Sequence, residues 1–524
     1  MGAAEVGVSA VDPATLQVWI SRLAGVADEM GAVLRRAAFS PNIKERADCS
    51  CACFAPDGTL LVQAEHIPVH LGSMPAAVAA AISACGAAVR PGEQIVVNDP
   101  FAGGTHLNDV TFVAPVHDGS GRLVAWVANR AHHADVGGMA PGSMPPDATE
   151  IAQEGIRLPP VRWTPEVEAV FVAASRTPDE RRGDLDAQLG ANRLGVRRWL
   201  ELDPPSEVLG AIVEHGERGM RAALRSVPDG RYEFTDVVDS GGAGSGPARI
   251  RLVVTVADDT VEFDFTGTDS HTPGPVNAVA AVTASAVLFA LRSAIAPELA
   301  ANGGSLRPVR IVAPAGSIVA AQPPAAVGAG NVEVSQRIAD VCLGALAGAV
   351  PDRLGAASQG TMNNLLVGGV GPDGPFVYYE TIGGGQGGRP GPQPGMHGVH
   401  TAMTNTLDTP VEAFERAYPM RVRRYGLRTG SGGAGAAPGG DGIVRELEVL
   451  APVMLSLVTE RRISAPWGAA GGAPGAPGEN WLLPGGDESR AERLPDKVTV
   501  RLAPGDVVHI LTPGGGGWGP PDQV

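Results

Sequence analysis

The sequence predicts a mixed α+β fold in several domains, on three observations. Its 524 residues are 44% hydrophobic, enough to organise more than one core. Apolar residues recur at helical spacing in some stretches and alternate or run continuously, as in strands, in others. The 71 glycines and 45 prolines punctuate these stretches with turns, and with only 4% aromatic residues the cores are expected to consist of Val, Leu, Ile and Ala.

The first helix is expected over Asp12–Phe39, where Pro13 follows Asp12 and Leu16, Trp19, Ile20, Leu23 and Val26 recur on one face. Cys49–Gln63 reads as a hairpin, CSCACFA and TLLVQ about the turn PDG. Ala76–Val89 is an alanine-rich helix. GEQIVVNDP is a buried strand ending at Asn98-Asp99-Pro100, and VTFVAPV and LVAWVAN form a strand pair about HDGSG. Gly183–Leu202 is helical up to Pro204 and Pro205, and Ser206–Leu224 is the next helix. YEFTDVVDS and ARIRLVVTVADDTVEFDFTG read as strands, Thr283–Arg292 and Gln336–Ala349 as helices. Gly383–Gly398 and Gly430–Gly442 are dominated by Gly and Pro, and a strand-rich tail follows.

These changes of texture divide the chain into an N-terminal domain with the metal and active site (residues 1–230), a central mixed sheet with helices (231–430) and a β-rich C-terminal part (431–524). No internal repeat is evident. A formal charge of −16 repels phosphate backbones, so nucleic acid is not an expected partner. The opening MGAAEVGVSAVDPATLQVWI lacks a basic run followed by a long apolar one, so no secretory leader is expected. Nor does an uninterrupted apolar run reach the ~20 residues of a membrane span. Five cysteines are too few for a disulfide framework. A cytoplasmic location is therefore expected.

The densest polar cluster lies between Asn98 and Glu154. In NDPFAGGTHLND, His106 and Asp109 stand three apart, a spacing that puts both on one face of a helical turn. Imidazole nitrogen plus carboxylate oxygen suits a divalent metal such as Zn, Mn or Fe(II). In NRAHHADVGG, His132 and His133 would point to opposite faces of a strand, so at most one meets that metal. Asp135 is placed to ligate, or to orient a ligand histidine through its second N–H. In PPDATEIAQEG, Glu150 and Glu154 stand four apart, as an acid–base pair on a helix or as an ordinary solvated helix end.

Cys49, Cys51 and Cys53 alternate on a strand and share one face, a pattern better suited to core packing than to zinc. GGAGSG (241–246) and GGGQGG (383–388) offer backbone N–H groups to an anion, but neither is a P-loop, so the chain shows no ATP site of known type.

With these residues in view, the chain resembles the hydantoinase B/oxoprolinase family, which includes the second subunit of N-methylhydantoinase, half of 5-oxoprolinase and a large subunit of acetone carboxylase. The resemblance runs over nearly the whole chain, through SPNIKERADCSCACFAPDG, HIPVHLGSMP, NDPFAGGTHLNDV, HHADVGG, PGSMPPDATEIAQEGIRLPPV, RRGDLDAQLGANRLG, FDFTGT, RIADVCLGALAGAVPDR, AASQGTMNN, ETIGGGQGGRPG, TNTLDTPVEAFERAYPMRV and SGGAGAAPGGDG. It implies metal ligands at Asp48, His106, Asp109 and His132, with His133 as the alternative in the pair. Glu45, Glu150 and Glu154 lie in matching motifs. Cys49 stands where the family pattern leads one to expect an aromatic residue, a change expected to alter packing beside Asp48.

The resemblance further implies a hetero-oligomer with a hydantoinase A-type ATPase subunit. That partner binds ATP and Mg and phosphorylates a small cyclic amide, and this chain supplies metal-activated water to open the ring, with Asp135 or Glu154 moving the proton. Two rival expectations are a subunit of an ATP-dependent ketone carboxylase, and a non-catalytic scaffold for the ATPase subunit.

Overall fold

The structure, a computed structural model, describes residues 11–64, 67–372 and 374–521. Residues 1–10, which hold part of the segment read for a leader, lie outside the described residues.

Helix α1 (Pro13–Ala37) starts where Asp12 accepts a hydrogen bond from the Thr15 backbone N–H (3.0 Å), with Pro13 in its first turn. A short helix α2 (Pro41–Lys44) leads into the first sheet. Its strands are β1 (Cys49–Phe54), β2 (Leu60–Ala64), β3 (Ile95–Val97), β4 (Asp109–His117), β5 (Leu123–His132) and β6 (Val161–Arg162). They pair in the order β2-β1-β5-β4-β3-β6, antiparallel throughout.

Both faces of this sheet are covered. Cys49, Cys51 and Cys53 pack with Leu23, Met30 and Leu34 of α1, as the strand alternation implied. Ala52, Phe54 and Ala128 pack on the other face with Met74 and Val78 of α3 (Ser73–Cys85). By length and composition Pro68–Cys85 would pass for a membrane span. Here it is a 3₁₀ turn followed by α3, half buried in this core.

Helices α4 (Pro165–Ala174), α5 (Pro178–Leu202) and α6 (Ser206–Leu224) follow. Helix α5 begins ahead of the expected Gly183, in the polar turn Pro178–Arg182, and its buried face is partly polar. Gln188 bonds Val110 O and Asn129 Oδ1 (2.8 and 2.9 Å), and Asn192 bonds Phe112 O (3.2 Å), so it grips the sheet through amides.

The second sheet comprises β7 (Gly230–Val238), β8 (Ala248–Ala257), β9 (Thr260–Asp264) and β10 (Val309–Val312), antiparallel except for the parallel β9–β10 pair. Helix α8 (Ser335–Ala349) packs against β7 and β8, and α7 (Ala280–Ile295) packs against α8, with Leu252, Val254, Phe263, Val287, Leu291, Ile338 and Leu346 in one buried core. A short π-helical stretch, Gly330–Val334, leads into α8.

The remaining strands are β11 (Asn364–Gly371), β12 (Gly374–Glu380), β13 (Met420–Arg428), β14 (Gly442–Val449), β15 (Val453–Val458), β16 (Glu479–Leu483), β17 (Glu492–Leu494), β18 (Lys497–Leu502) and β19 (Val507–Leu511). They form two facing sheets, β12-β11-β15-β18 and β13-β14-β19-β16-β17, around Leu365, Val367, Phe414, Leu447, Leu455 and Ile510. Residues before and after position 430 thus interleave in both sheets.

The glycine-rich segments have a structural use. Gly385, Gly388 and Gly433 donate to the Pro513, Gly516 and Gly515 carbonyls at 3.0, 2.9 and 2.8 Å, knitting extended strands around Gly514–Gly517. A Cβ on Gly515 would lie 2.1 Å from the Gln386 carbonyl oxygen. From Gly384 to Gly388 the GGGQGG N–H groups are spent on this lattice and on Ser358, Val399 and Met396, which counts against their reading as an anion cradle.

Candidate metal centre

The register of the first sheet assembles the site. In the β4–β5 pair Asp109 stands directly opposite His132, and on the other side of β5 Cys49 pairs with Ala131, which brings Asp48 to the same sheet end. The His132 N–H donates to the Asp48 carbonyl at 3.0 Å. His106 precedes β4 in a tight turn closed by the Asp109 N–H on the His106 carbonyl (3.1 Å). The expected helical turn is therefore absent, and a chain reversal into a strand brings the two side chains together instead. Ala47, beside Asp48, has φ of 58°, a left-handed conformation uncommon away from glycine.

Three donor atoms converge. His106 Nε2 lies 3.3 Å from Asp109 Oδ1, His132 Nδ1 lies 3.4 Å from the same oxygen, and the two ring nitrogens are 3.2 Å apart. Atoms bound at about 2.0–2.1 Å to one tetrahedral ion stand about 3.3–3.4 Å from each other, so the triangle fits a divalent metal. All three residues are buried, and Asp109 Oδ1 has no hydrogen-bond partner among the described residues. Asp48 Oδ2 lies 3.9 Å from His132 Nδ1 and extends the donor set.

The other carboxylate oxygen, Asp109 Oδ2, is held by protein. The Thr105 hydroxyl and Asn331 Nδ2 (3.4 Å) donate to it, and His70 Nε2 lies 3.6 Å away. His70 is fixed through its Nδ1 by Ser50 Oγ at 2.9 Å. Asn42 Nδ2 reaches the His132 carbonyl (2.8 Å) and Asp48 Oδ2 (3.4 Å). Tyr379 lies against the His132 ring, and its hydroxyl donates to Asn364 Oδ1 at 2.8 Å. Arg46 clamps the Tyr379 carbonyl (2.6 Å) and the hydroxyls of Thr381 and Thr406 (2.6 and 3.2 Å).

Burial disfavours a charge on Asp109, yet the facing rings of His106, His132 and His70 hold its carboxyl well below the usual carboxylate range. Burial pushes His132 below its ordinary value, which keeps a ring lone pair available. Beside the cluster is a cavity of about 20 Å³, lined by Asp48, His70, Asp109, His132, Tyr379 and Thr404 among others. That is room for about one water-sized group.

The remaining candidates lie outside the cluster. His133 points to the opposite face and bonds Gln188 Oε1 through Nε2 (2.8 Å), edge-on to Phe171, so His132 is the member of the pair at the site. Asp135 is buried against Arg176 Nη1 (2.9 Å) and the N–H groups of Gly137, Gly142 and Arg176 at 3.1, 3.2 and 2.9 Å. Glu150 is exposed and Glu154 buried, on either side of a 3₁₀ turn (Ile151–Gln153), so they share no helix face. Glu154 Oε1 instead accepts the N–H groups of Val327 and Gly328 (2.9 and 2.8 Å). Burial pushes its carboxyl up to about 8. Glu45, half-buried at the end of α2, does not line the cavity.

Sequence reasoning missed His70, Asn331 and Tyr379. Each comes from a separate segment, and a lone histidine among apolar residues carried no ligand signature.

The hydantoinase B/oxoprolinase family model matches residues 12–521. The chain belongs to the hydantoinase B/oxoprolinase family. It is 40% identical to 5-oxoprolinase 1 of Arabidopsis thaliana over 97% of the chain, which spans 42% of that protein. It is 30% identical to the putative B component of a D-/L-hydantoinase from a Pseudomonas species, covering 98% of the chain and 90% of that component. Thus the chain spans about two-fifths of this long oxoprolinase and nearly all of the hydantoinase component. Among solved structures, the ATP-dependent caprolactamase of Pseudomonas jessenii superposes with a TM-score of 0.90 at 29% identity, over 97% of this chain and 91% of that one. Acetone carboxylase matches with a TM-score of 0.89 at 17% identity over 97% and 76%, a likeness of fold alone. Both matches agree with the mixed α+β, multidomain architecture that the family member was expected to adopt.

Proposed function

We propose that this chain is the hydrolytic subunit of an ATP-dependent enzyme that opens a small cyclic amide. The observation that carries the reading is the buried triangle of His106, Asp109 and His132 beside a water-sized cavity. His106 Nε2, Asp109 Oδ1 and His132 Nδ1 would hold a divalent ion, with Asp48 completing the set. Such an ion supplies a water of lowered pKa near neutrality and polarises an amide oxygen.

The surrounding residues prepare the donors. Thr105, Asn331 and His70 engage Asp109 Oδ2 and leave Oδ1 directed at the ring nitrogens. Tyr379 fixes the plane of the His132 ring. Ile67, Val69, Val332, Met362 and Met403 line the cavity with apolar surface, which excludes bulk water and strengthens the electrostatics within.

A hydantoinase A-type ATPase partner, binding ATP and Mg and assembling with this chain into a heteromer in the cytoplasm, would activate the amide by phosphorylation. The related Pseudomonas hydantoinase, whose B component this chain matches over nearly its full length, supports a two-component arrangement. The related caprolactamase, being ATP-dependent, supports ATP coupling on a lactam.

The test is reconstitution with such a partner and measurement of ATP-dependent ring opening of 5-oxoproline and hydantoin. His106→Ala should abolish ring opening while leaving assembly intact, and an unaffected rate would overturn the reading. Strict bicarbonate dependence of product formation would point to ketone carboxylation instead.

A further inference from the structure

A cleft of about 570 Å³ opens next to the metal-side cavity, within the range of small-molecule sites. The two share a wall. Thr404 lines both, and Pro68 faces the cleft while Val69 and His70, its neighbours in one turn, face the cavity.

The cleft is cationic in a chain of net charge −16. Arg353 and Arg389 line it, both exposed, and neither guanidinium has an ion-pair or hydrogen-bond partner among the described residues. Among other exposed arginines, Arg307 is paired with Glu217 (2.9 Å) and Arg249 with Asp269 (3.4 Å), whereas Arg36 and Arg193 have no such partner among the described residues. The two cleft arginines come from interlocked loops. The Ala356 N–H donates to the Gly388 carbonyl (2.9 Å), and a Cβ on Gly355 would lie 2.9 Å from Arg389 Cγ. Asp340, a carboxylate in the lining, is committed to Arg461 at 2.7 Å.

His400 adds a second, independent observation. It lines the cleft, and its Nδ1 is buried with no hydrogen-bond partner among the described residues. Its Nε2 lies 3.4 Å from Thr406 Oγ1, which borders the metal-side cavity. The imidazole therefore links the two spaces and leaves one nitrogen for a ligand.

We propose that this cleft is the substrate chamber and that Arg353 and Arg389 bind an oxyanion on a small cyclic amide, with His400 Nδ1 meeting the ring's polar edge. The inference rests on the cyclic-amide reading above and narrows its substrate class to anionic ring compounds. The oxyanion has two sources, a carboxylate on the ring or a phosphoryl group placed on the amide, and guanidinium recognises both through paired N–H donors.

Calorimetric titration of the purified full chain separates them, with 5-oxoproline, its uncharged analogue 2-pyrrolidinone and inorganic phosphate as probes. Wild type is compared with an Arg353→Gln/Arg389→Gln double variant. At least tenfold tighter binding of 5-oxoproline than of 2-pyrrolidinone, lost in the double variant, assigns a ring carboxylate. Arginine-dependent binding of phosphate alone assigns a phosphoryl group. Binding of no probe, or equal binding in the double variant, overturns the proposal. Ring opening by the reconstituted complex and its metal content are read in parallel. Activity with arginine-independent binding sinks only the chamber assignment, and arginine-dependent binding in a complex that opens no ring sinks only the hydrolase reading.

Discussion

The imidazole of His132 lies flat against the ring of Tyr379, 4.7 Å between centroids with 14° between planes. β12 thus reaches from another sheet to hold a residue at the end of β5. The stack fixes the orientation of a candidate ligand nitrogen, and groups that orient a metal ligand are worth about 10–100-fold in metal affinity. Tyr379→Ala is expected to weaken metal binding by about that factor, measured by competition with a chromogenic chelator. Tyr379→Phe keeps the stack, loses only the bond to Asn364, and should stay within a few-fold of wild type.

The two adjacent histidines should separate cleanly. His132→Ala is expected to lose the metal. His133→Ala leaves Gln188 Oε1 without its 2.8 Å partner and should cost about 1–3 kcal/mol of stability while metal content stays unchanged. Metal analysis beside urea denaturation checks both, and loss of metal in the His133 variant would reverse the assignment.

Asp135 is held by Arg176 and three backbone N–H groups, away from the His106–Asp109–His132 cluster. Asp135→Ala should destabilise the chain by about 3 kcal/mol. Metal bound per folded chain should be unaltered, as seen when thermal unfolding and elemental analysis are run on the same sample.

Glu154 titrates with folding. Burial raises its folded value to about 8, above its unfolded value of about 4.5, so between these the folded state holds the extra proton. The stability this contributes is present at low pH and is lost as pH rises toward 8, at up to about 1.4 kcal/mol per pH unit. Glu154→Gln keeps an acceptor for Val327 and Gly328 but does not titrate. The variant should therefore gain on wild type as urea unfolding is moved from pH 6 to pH 7.5. Parallel pH dependences in the two proteins would contradict this.

The glycine lattice is a packing constraint. Gly515→Ala drives a methyl to 2.1 Å from the Gln386 carbonyl oxygen, a backbone atom that cannot turn aside, and should cost more than about 4 kcal/mol. Gly426→Ala, with nothing within 4 Å, should change stability by less than about 1 kcal/mol. Circular dichroism melts of the two variants check the contrast.

Much of the fold was legible because periodicity is local. α1, the β1–β2 hairpin and the β4–β5 pair stand close to where their apolar patterns put them. The candidate metal cluster was half legible. His106 and Asp109 announced themselves by spacing, although a turn into β4, and not a helix, joins them. Asp48 emerged only through the family resemblance, because its place beside His132 depends on the β1–β5 register. His70, Asn331 and Tyr379 are brought in by tertiary packing that no local pattern encodes. Glu150 and Glu154 share no helix face, because four-residue spacing brings side chains together only on an α-helical turn. Glu150, with φ of −139°, is extended there, and a 3₁₀ turn follows it.

The most direct measurement is elemental analysis of the purified chain, prepared without chelator, for wild type beside His106→Ala. About one divalent ion per wild-type chain, absent from the variant, is the expected result, and its identity among Zn, Mn and Fe would follow from the same spectrum. No metal in wild type, or equal metal in both proteins, would contradict a centre built on His106, Asp109 and His132.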